Sequence, residues 1–592
     1  MAMSKTAKTL LIIGGICLAV FLVAIIGIAL IAESMSKPSV PNNSLLVLKV
    51  EGDLPDYSPE NSFGKLFGQD KPSFTSLLTQ LRKAKVDTRI GAVLLDVDSP
   101  SVGWGKADEL REAIADFKKA GKPIYSYMET GANKDYYIAT ATDKIYLPPS
   151  GDLYVNGFAA NVMFYRGSLD KIGVEPDFIQ IGKYKNAPDQ YMRKDMSEGH
   201  REVMNAILDD YYNRFTSTIA ETRKKSPEDV KALIDSAPFN AVKAKEVGLI
   251  DDAIYRDQVF EQIKKQLGYR EDDKISAVSG SEYREIPSDS LGLNKGEEVA
   301  VIYASGAIVS GRSSNGGFNG EMAGSDTLVR AINNAAEDKG IKAIVLRVDS
   351  PGGSALASDL MWHAIENAKA KKPIVVSMSD MAASGGYYIS CNANKIVAEP
   401  STLTGSIGIF MGKMNVRGLY NWLGVSNEYV MRGKNSGIFR EAEKWTPEER
   451  AKMEESTKGI YYDSFVPKVA KGRGKTNEEV DSMAQGRVWT GFQAKEKGLV
   501  DEFGGLEKAI DVAKELAQLP ADKDVKRVIF PEARPFFEEL LDTSGASAKE
   551  QKQEILLEAM PKDARKAFRF ASILDEMNGK VTMMLPFELE IK

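Results

Sequence analysis

Histidine and cysteine are almost missing from this chain. Its 592 residues include only His200, His363, Cys17 and Cys391. Two histidines argue against zinc and non-haem iron centres, so neither a metal nor a cofactor is expected, and a histidine general base has few candidates. Two cysteines build neither a disulfide framework nor a Cys-rich metal site. Positive charge is not in excess either. Lys and Arg total 77 against 83 Asp and Glu, a net charge of −6. No global basic field is available to recruit nucleic acid. Low-complexity composition is absent as well: 50 Gly and 24 Pro are ordinary, and 43% hydrophobic with 27% charged residues is ample for a packed core. The length suits about four domain-sized units, or fewer large ones.

One long uncharged run is present. Leu10 to Ala32 reads LLIIGGICLAVFLVAIIGIALIA. As a helix it is about 34 Å long, enough to cross a hydrocarbon core of ~30 Å. It is longer than the apolar region of a cleavable signal peptide, and no A-x-A site closes it. Lys5 and Lys8 precede it and Glu33 follows. The positive-inside rule then predicts a cytoplasmic N-terminus (1–9), one membrane anchor (10–32) and an exported remainder, periplasmic in a two-membrane bacterium.

The chain also repeats itself. Ala92-Val93-Leu94-Leu95-Asp96-Val97-Asp98-Ser99-Pro100 matches Ala343-Ile344-Val345-Leu346-Arg347-Val348-Asp349-Ser350-Pro351, at an offset of 251. Tyr136-Tyr137-Ile138 matches Tyr387-Tyr388-Ile389, and Gly182-Lys183 matches Gly433-Lys434, in the same register. Ala244-Lys245-Glu246 matches Ala494-Lys495-Glu496 at 250. Such register implies two copies of one domain, near 44–280 and 296–530, joined by a polar linker at 281–295. Residues 531–592 read as a charged helical tail with no assigned role. Within each copy, short β-branched runs (Ile90–Val97, Ala343–Val348, Pro373–Met378, Lys395–Ala398) alternate with helical patterns (Ala107–Ala120, Ala357–Ala370, Arg201–Lys225, Thr446–Ala470). That alternation predicts an α/β fold of crossover units.

Candidate chemistry sits mainly in the second copy. In Met381-Ala382-Ala383-Ser384-Gly385-Gly386-Tyr387 a serine stands among small residues between a strand and a helical run, the setting of an exposed nucleophile. The N–H of Gly385, with that of Gly352 or Gly353, offers two donors for a tetrahedral oxyanion. Tight packing of a helix start on a sheet is the competing reading of these small residues. A serine needs a base. With histidine scarce, a Ser-Lys dyad remains. Ser384 aligns with Asn133 of the first copy, and Lys185 aligns with Ser436 of the second, so each copy holds one part of the candidate pair. An ordinary lysine is neutral in on the order of one molecule in 2,500 at pH 7, so a lysine base must be buried away from carboxylates. Ser406, in Leu403-Thr404-Gly405-Ser406-Ile407-Gly408, is a candidate neutral orienter of the amine, or else a turn hydroxyl that satisfies backbone.

From the anchor to about residue 530 the chain resembles the signal peptide peptidase A (protease IV) family in its long duplicated form. The resemblance rests on Val348-Asp349-Ser350-Pro351-Gly352-Gly353-Ser354, Met381–Tyr387, Thr404–Gly408 and Gly182-Lys183-Tyr184-Lys185. It implies a tandem ClpP/crotonase-like fold, with Ser384 as nucleophile and Lys185 as general base. It also implies a membrane-anchored homo-oligomer, a tetramer, acting on hydrophobic peptides such as signal peptides left in the membrane. Asn186 departs from the small residue expected after the lysine. Two other readings compete: a crotonase-like acyl-CoA hydratase or hydrolase, for which no suitable Glu pair is seen, and a non-catalytic scaffold.

Overall fold

The computed structural model describes residues 39–58, 72–315, 321–531 and 581–584. The apolar run at 10–32 lies outside them. Among the described residues no helix is long and apolar enough to cross a membrane.

Two parallel sheets form the centre, and their strand orders correspond. The first runs Ala277–Ser279, Ser44–Glu51, Ile90–Asp98, Ile124–Tyr127, Lys144–Leu147, Asp252–Ala253. The second runs Lys526–Phe530, Glu298–Ser305, Ile341–Ser350, Ile374–Ala383, Lys395–Ala398, Glu502–Phe503. The helices follow the repeat too: Trp104–Lys118 corresponds to Ala355–Lys369, and Asn133–Ala139 to Gly385–Ser390. The long helix Glu198–Arg223 has a broken counterpart, Pro447–Gly459 and Val466–Arg473 joined by a π-helical turn at Ile460–Phe465. The stretch read as a linker is partly ordered, with a helix at Gly280–Arg284 and a 3₁₀ turn at Ser288–Leu291. The tail read as helical has four described residues beyond 531, and Thr582–Met584 among them form a strand.

Strands buried on both faces explain the near-continuous apolar runs. In Ile341–Ser350, Ile344, Leu346 and Val348 enter one cluster, whereas Ala343 and Val345 enter another. The period of two puts Arg347 on the face of Ala343 and Val345, and there the first copy meets it. Arg347 donates from Nε to Asp56 at 2.7 Å and from Nη2 to Glu109 at 2.6 Å, all three side chains being buried. Burial alone would raise the Asp56 pKa, but Arg347 and Lys106 hold it below the usual carboxylate value. Tyr57 stacks on Tyr303 at 4.6 Å on the same side. A second seam lies close by. Lys106 Nζ meets Asp349 at 2.9 Å, and the backbone N–H groups of Gly103 and Lys106 donate to Asp380, each at 2.7 Å. Asp380 thereby caps the helix Trp104–Lys118 from the other copy.

Removing Arg347 strands two buried carboxylates. Arg347→Ala should destabilise the chain by about 3–5 kcal/mol in equilibrium urea denaturation. A change below about 1 kcal/mol would show that this network does not join the copies.

Candidate active site

The lysine and the serine arrive from different copies. After the strand Glu175–Ile181 the first copy turns at Gly182 and reaches Lys185. That strand pairs antiparallel with Ile409–Asn415 of the second copy, Ile181 opposite Ile409 and Glu175 opposite Asn415. Ion pairing fixes the register, because Arg450 Nη1 donates to Asp177 at 2.6 Å and Nη2 to the Phe178 carbonyl at 3.0 Å. The turn then lies on the second copy, where the Tyr184 N–H donates to the Gln485 carbonyl at 2.7 Å.

Ser384 sits between the strand Ile374–Ala383 and the helix Gly385–Ser390, at φ +55° and ψ −110°. A non-glycine residue there stores strain on the order of 1–3 kcal/mol and needs surroundings that hold it. Its N–H donates to the Gly405 carbonyl and its carbonyl accepts from the Tyr388 N–H, both at 2.8 Å. Ser406 follows Gly405 at φ +50°, and its N–H donates to the Arg487 carbonyl at 2.7 Å.

These pieces converge within one chain. Lys185 Nζ lies 2.8 Å from Ser384 Oγ, 2.9 Å from Ser406 Oγ and 3.2 Å from the Ser406 carbonyl oxygen. All three residues are fully buried. Burial, with no carboxylate contributing, pushes the Lys185 amine well below the ordinary lysine pKa. Acidic groups on the strands that lead to Ser384 are engaged elsewhere: Asp349 with Lys106, and Asp380 with the Trp104–Lys118 helix start.

The three glycines are placed unequally. The Gly352 N–H donates to Ser350 Oγ at 3.1 Å, and Ser350 Oγ donates to the Gly306 carbonyl at 2.6 Å. Gly353, at φ +156°, and Gly385 lie together, since a Cβ on Gly385 would fall 3.1 Å from the Gly353 nitrogen. As the first helical residue, Gly385 has an N–H without an intrahelical partner.

The remaining predicted positions also have clear places. Asn133, aligned with Ser384, donates to the Gly157 carbonyl at 2.8 Å; Ser436, aligned with Lys185, is exposed. Asn186 is buried and donates to Asp189 and Ser197, each at 3.0 Å, so it braces the turn behind the lysine. His363 is exposed beside Asn367, and His200 is buried, its Nδ1 3.9 Å from Asp189. Gly486 belongs to none of the motifs singled out in the sequence. A Cβ there, at φ +76°, would stand 2.6 Å from Lys185 Cβ and 2.6 Å from its backbone nitrogen. At the offset of 250 the first copy has Ser236 there, and that glycine-for-serine contrast is the only sequence trace of it.

Two outcomes follow from this geometry. Gly486→Ala should displace Lys185 and lower kcat by about 10²-fold or more while KM changes little, as measured on a peptide substrate. Burial lowers the Lys185 pKa on folding, so between that lowered pKa and 10.5 the folded chain favours the neutral amine where the unfolded chain holds an ammonium. Folding therefore releases a proton, and the penalty is largest on the acid side and fades as pH rises toward 10.5. Lys185→Met should raise the thermal midpoint at pH 7, and the gain should shrink with rising pH. A gain that is the same at every pH would show a lysine that stays charged.

The chain matches Peptidase family S49 twice, over residues 116–270 and 366–520. It is 36% identical over 511 residues to a chloroplastic serine protease SPPA of Arabidopsis thaliana, covering 86% of this chain and 74% of that one. It is 34% identical over 528 residues to Protease 4 of Salmonella typhi, covering 84% and 83%. Among solved structures, a mutant ClpP1 from Listeria monocytogenes overlies 36% of this chain and 94% of its own, with a TM-score of 0.23 at 13% identity. The doubled match and the length of the two sequence alignments place the chain in peptidase family S49, as a serine-type endopeptidase with two copies of the family domain.

Proposed function

We propose that the peptidase works through a Ser384–Lys185 dyad on hydrophobic peptides at a membrane, notably signal peptides left after preprotein cleavage. The observation that carries this reading is the 2.8 Å approach of Lys185 Nζ to Ser384 Oγ in a site free of carboxylates. A neutral amine has two N–H bonds and one lone pair. The Ser406 oxygens at 2.9 and 3.2 Å take the two N–H bonds, which leaves the lone pair for the Ser384 hydroxyl.

The steps follow. Lys185 takes the Ser384 proton as Oγ attacks the substrate carbonyl carbon. The oxyanion forms beside the N–H groups of Gly385 and Gly353; the Gly352 N–H is held by Ser350, so Gly352 shapes the turn instead. The C–N bond breaks as the new ammonium returns its proton to the leaving amine. A water molecule, deprotonated by the same amine, then hydrolyses the ester and frees Ser384.

The anchor at 10–32 would hold the enzyme in the cytoplasmic membrane, with its N-terminus inside and both copies on the periplasmic side. Leu356 and Leu360 stand exposed on the helix that starts at the glycine turn, an apolar approach suited to hydrophobic peptides. A homo-tetramer belongs to the same proposal. Exposed Trp422 (75%) and Val430 (85%) offer apolar surface for contact between copies.

Ser384→Ala and Lys185→Ala should each lose about 10³-fold or more in kcat on a fluorogenic hydrophobic peptide, and Ser406→Ala about 10–100-fold. In the wild type kcat should rise with pH through the depressed lysine pKa and then level off. Equal hydrolysis by wild type and Lys185→Ala would remove the lysine from the mechanism.

A further inference from the structure

The ladder between the two strands that lead into the site is interrupted. Val348 lies opposite Met378 and Ser350 opposite Ala382. A single residue of the strand Ile341–Ser350, Asp349, therefore faces Ser379, Asp380 and Met381 of the strand Ile374–Ala383. Bulged residues stand outside the ladder, so other contacts must hold their shape. The two strands carry separate parts of the proposed chemistry. Gly353 follows the end of one, and Ser384 and Gly385 follow the end of the other.

Side chains do the holding. Asp349 Oδ1 accepts the Met381 N–H at 3.2 Å, and its Oδ2 accepts from Lys106 Nζ at 2.9 Å. Lys106 Nζ also lies 3.7 Å from Asp380 Oδ2 and donates to the Leu54 carbonyl at 3.4 Å. Thr402 Oγ1 donates to the Ser379 carbonyl at 2.7 Å. On its other side Asp349 accepts the Gly306 N–H on its carbonyl at 2.9 Å, and Gly306 in turn accepts from Ser350, which holds the Gly352 N–H. Asp349 thus ties the bulge to the glycine turn, and Lys106 is the cation that anchors it. Lys106 is buried. Burial works against its charge, but Asp349, Asp380 and Asp56 together hold its pKa above the ordinary lysine value. Without that cation, Asp349 and Asp380 would repel each other across the bulge. At the offset of 251 the second copy has Ala357, so the repeat does not require a lysine here.

We propose, building on the Ser384–Lys185 reading, that Lys106 is a positioning residue for the reaction: the first copy supplies it, and it closes the bulge in the second copy and so fixes the glycine turn relative to Ser384. It touches no reacting atom; its effect reaches them through Asp349. The two N–H groups assigned above to the oxyanion, those of Gly353 and Gly385, lie beyond opposite sides of this bulge. A loosened bulge separates one donor from the other and from Ser384 Oγ. A misplacement of about 1 Å there costs on the order of 10²-fold in rate. The loss falls on kcat, because the oxyanion contacts strengthen only as the carbonyl is attacked.

The test uses the full chain in detergent and a fluorogenic hydrophobic peptide. Lys106→Met should lower kcat about 10–100-fold and change KM less than about threefold. Labelling of Ser384 by a small fluorophosphonate, which needs no peptide contacts, should slow by a similar factor. The isosteric Asp349→Asn should also lower kcat, and the double variant should lose no more than the worse single one, because both act on one contact. Arg82→Met serves as the structural control. It breaks a different contact between the copies, with Asp524 and Glu507, and should lower the thermal midpoint while kcat stays within about twofold of wild type. A wild-type kcat in Lys106→Met overturns the proposal; should that variant not fold, a wild-type kcat in Asp349→Asn does so. Losses that add in the double variant, a loss carried by KM, or an equal kcat loss in Arg82→Met also overturn it. In all these cases inactive Ser384→Ala and Lys185→Ala chains leave the Ser-Lys dyad standing. Hydrolysis that Ser384→Ala does not reduce removes the dyad and the role of Lys106 with it.

Discussion

The proposed dyad demands a buried amine that stays uncharged, and the architecture around Lys185 turns on that demand. Lysine loses its proton at neutral pH only where water is excluded and no carboxylate stands close enough to stabilise the ammonium. Around Lys185 the polar partners are two hydroxyls and a carbonyl, all neutral. Yet the strands that end at the site carry Asp349 and Asp380. Each is turned toward the first copy, where Lys106 and the start of the Trp104–Lys118 helix engage it. The contacts that hold the copies together thus also keep acid groups occupied away from the amine. On the proposed dyad, stability and base strength come from the same seam.

Duplication made that arrangement accessible. Both copies have a turn from strand to helix at equivalent places, Asp98 to Trp104 and Ser350 to Ala355. In the first copy the helix start is filled by a side chain of the protein, Asp380. In the second, the paired glycines lie against the backbone of the strand Thr582–Met584. One turn geometry receives a side-chain cap in one copy and a strand backbone in the other. Likewise Asn133 bonds a backbone carbonyl where its counterpart Ser384 meets a lysine. Each copy has given up half of a site, and neither is complete without the strand pairing of Glu175–Ile181 with Ile409–Asn415.

Much of this is legible in the sequence because repeats expose both period and exception. The shared offset locates the equivalent strands, and departures from it single out Ser384, Lys185 and the glycines 352 and 353. Ser406 is legible as a candidate orienter of the amine or as a turn hydroxyl; which of the two it is depends on how the Leu403–Gly405 strand ends. Gly486 and Asp380 act through distant segments that come together only on folding, and local pattern carries no trace of that. The strand at Thr582–Met584 escapes the sequence for a related reason. Charge and helical periodicity dominate the tail around it, and three residues that pair with an edge formed elsewhere leave no period to detect.

The short strand Leu403–Gly405 shows how little slack the site has. The Gly405 carbonyl receives the Ser384 N–H and so holds that residue at its strained backbone angles. The next residue, Ser406, meets Lys185 with both its hydroxyl and its carbonyl. Ser384 and Lys185 are therefore referred to two consecutive residues. A shift of that strand moves both together and preserves their spacing, whereas a shift of the lysine turn alone does not. The lysine turn is accordingly pinned on several sides: by Gln485 and Gly486 of the second copy, by the ladder behind it, and by Asn186 bonded to Asp189 and Ser197. If the two groups react as proposed, an error of about 1 Å between them costs on the order of 10²-fold in rate, and this redundancy serves function as well as structure.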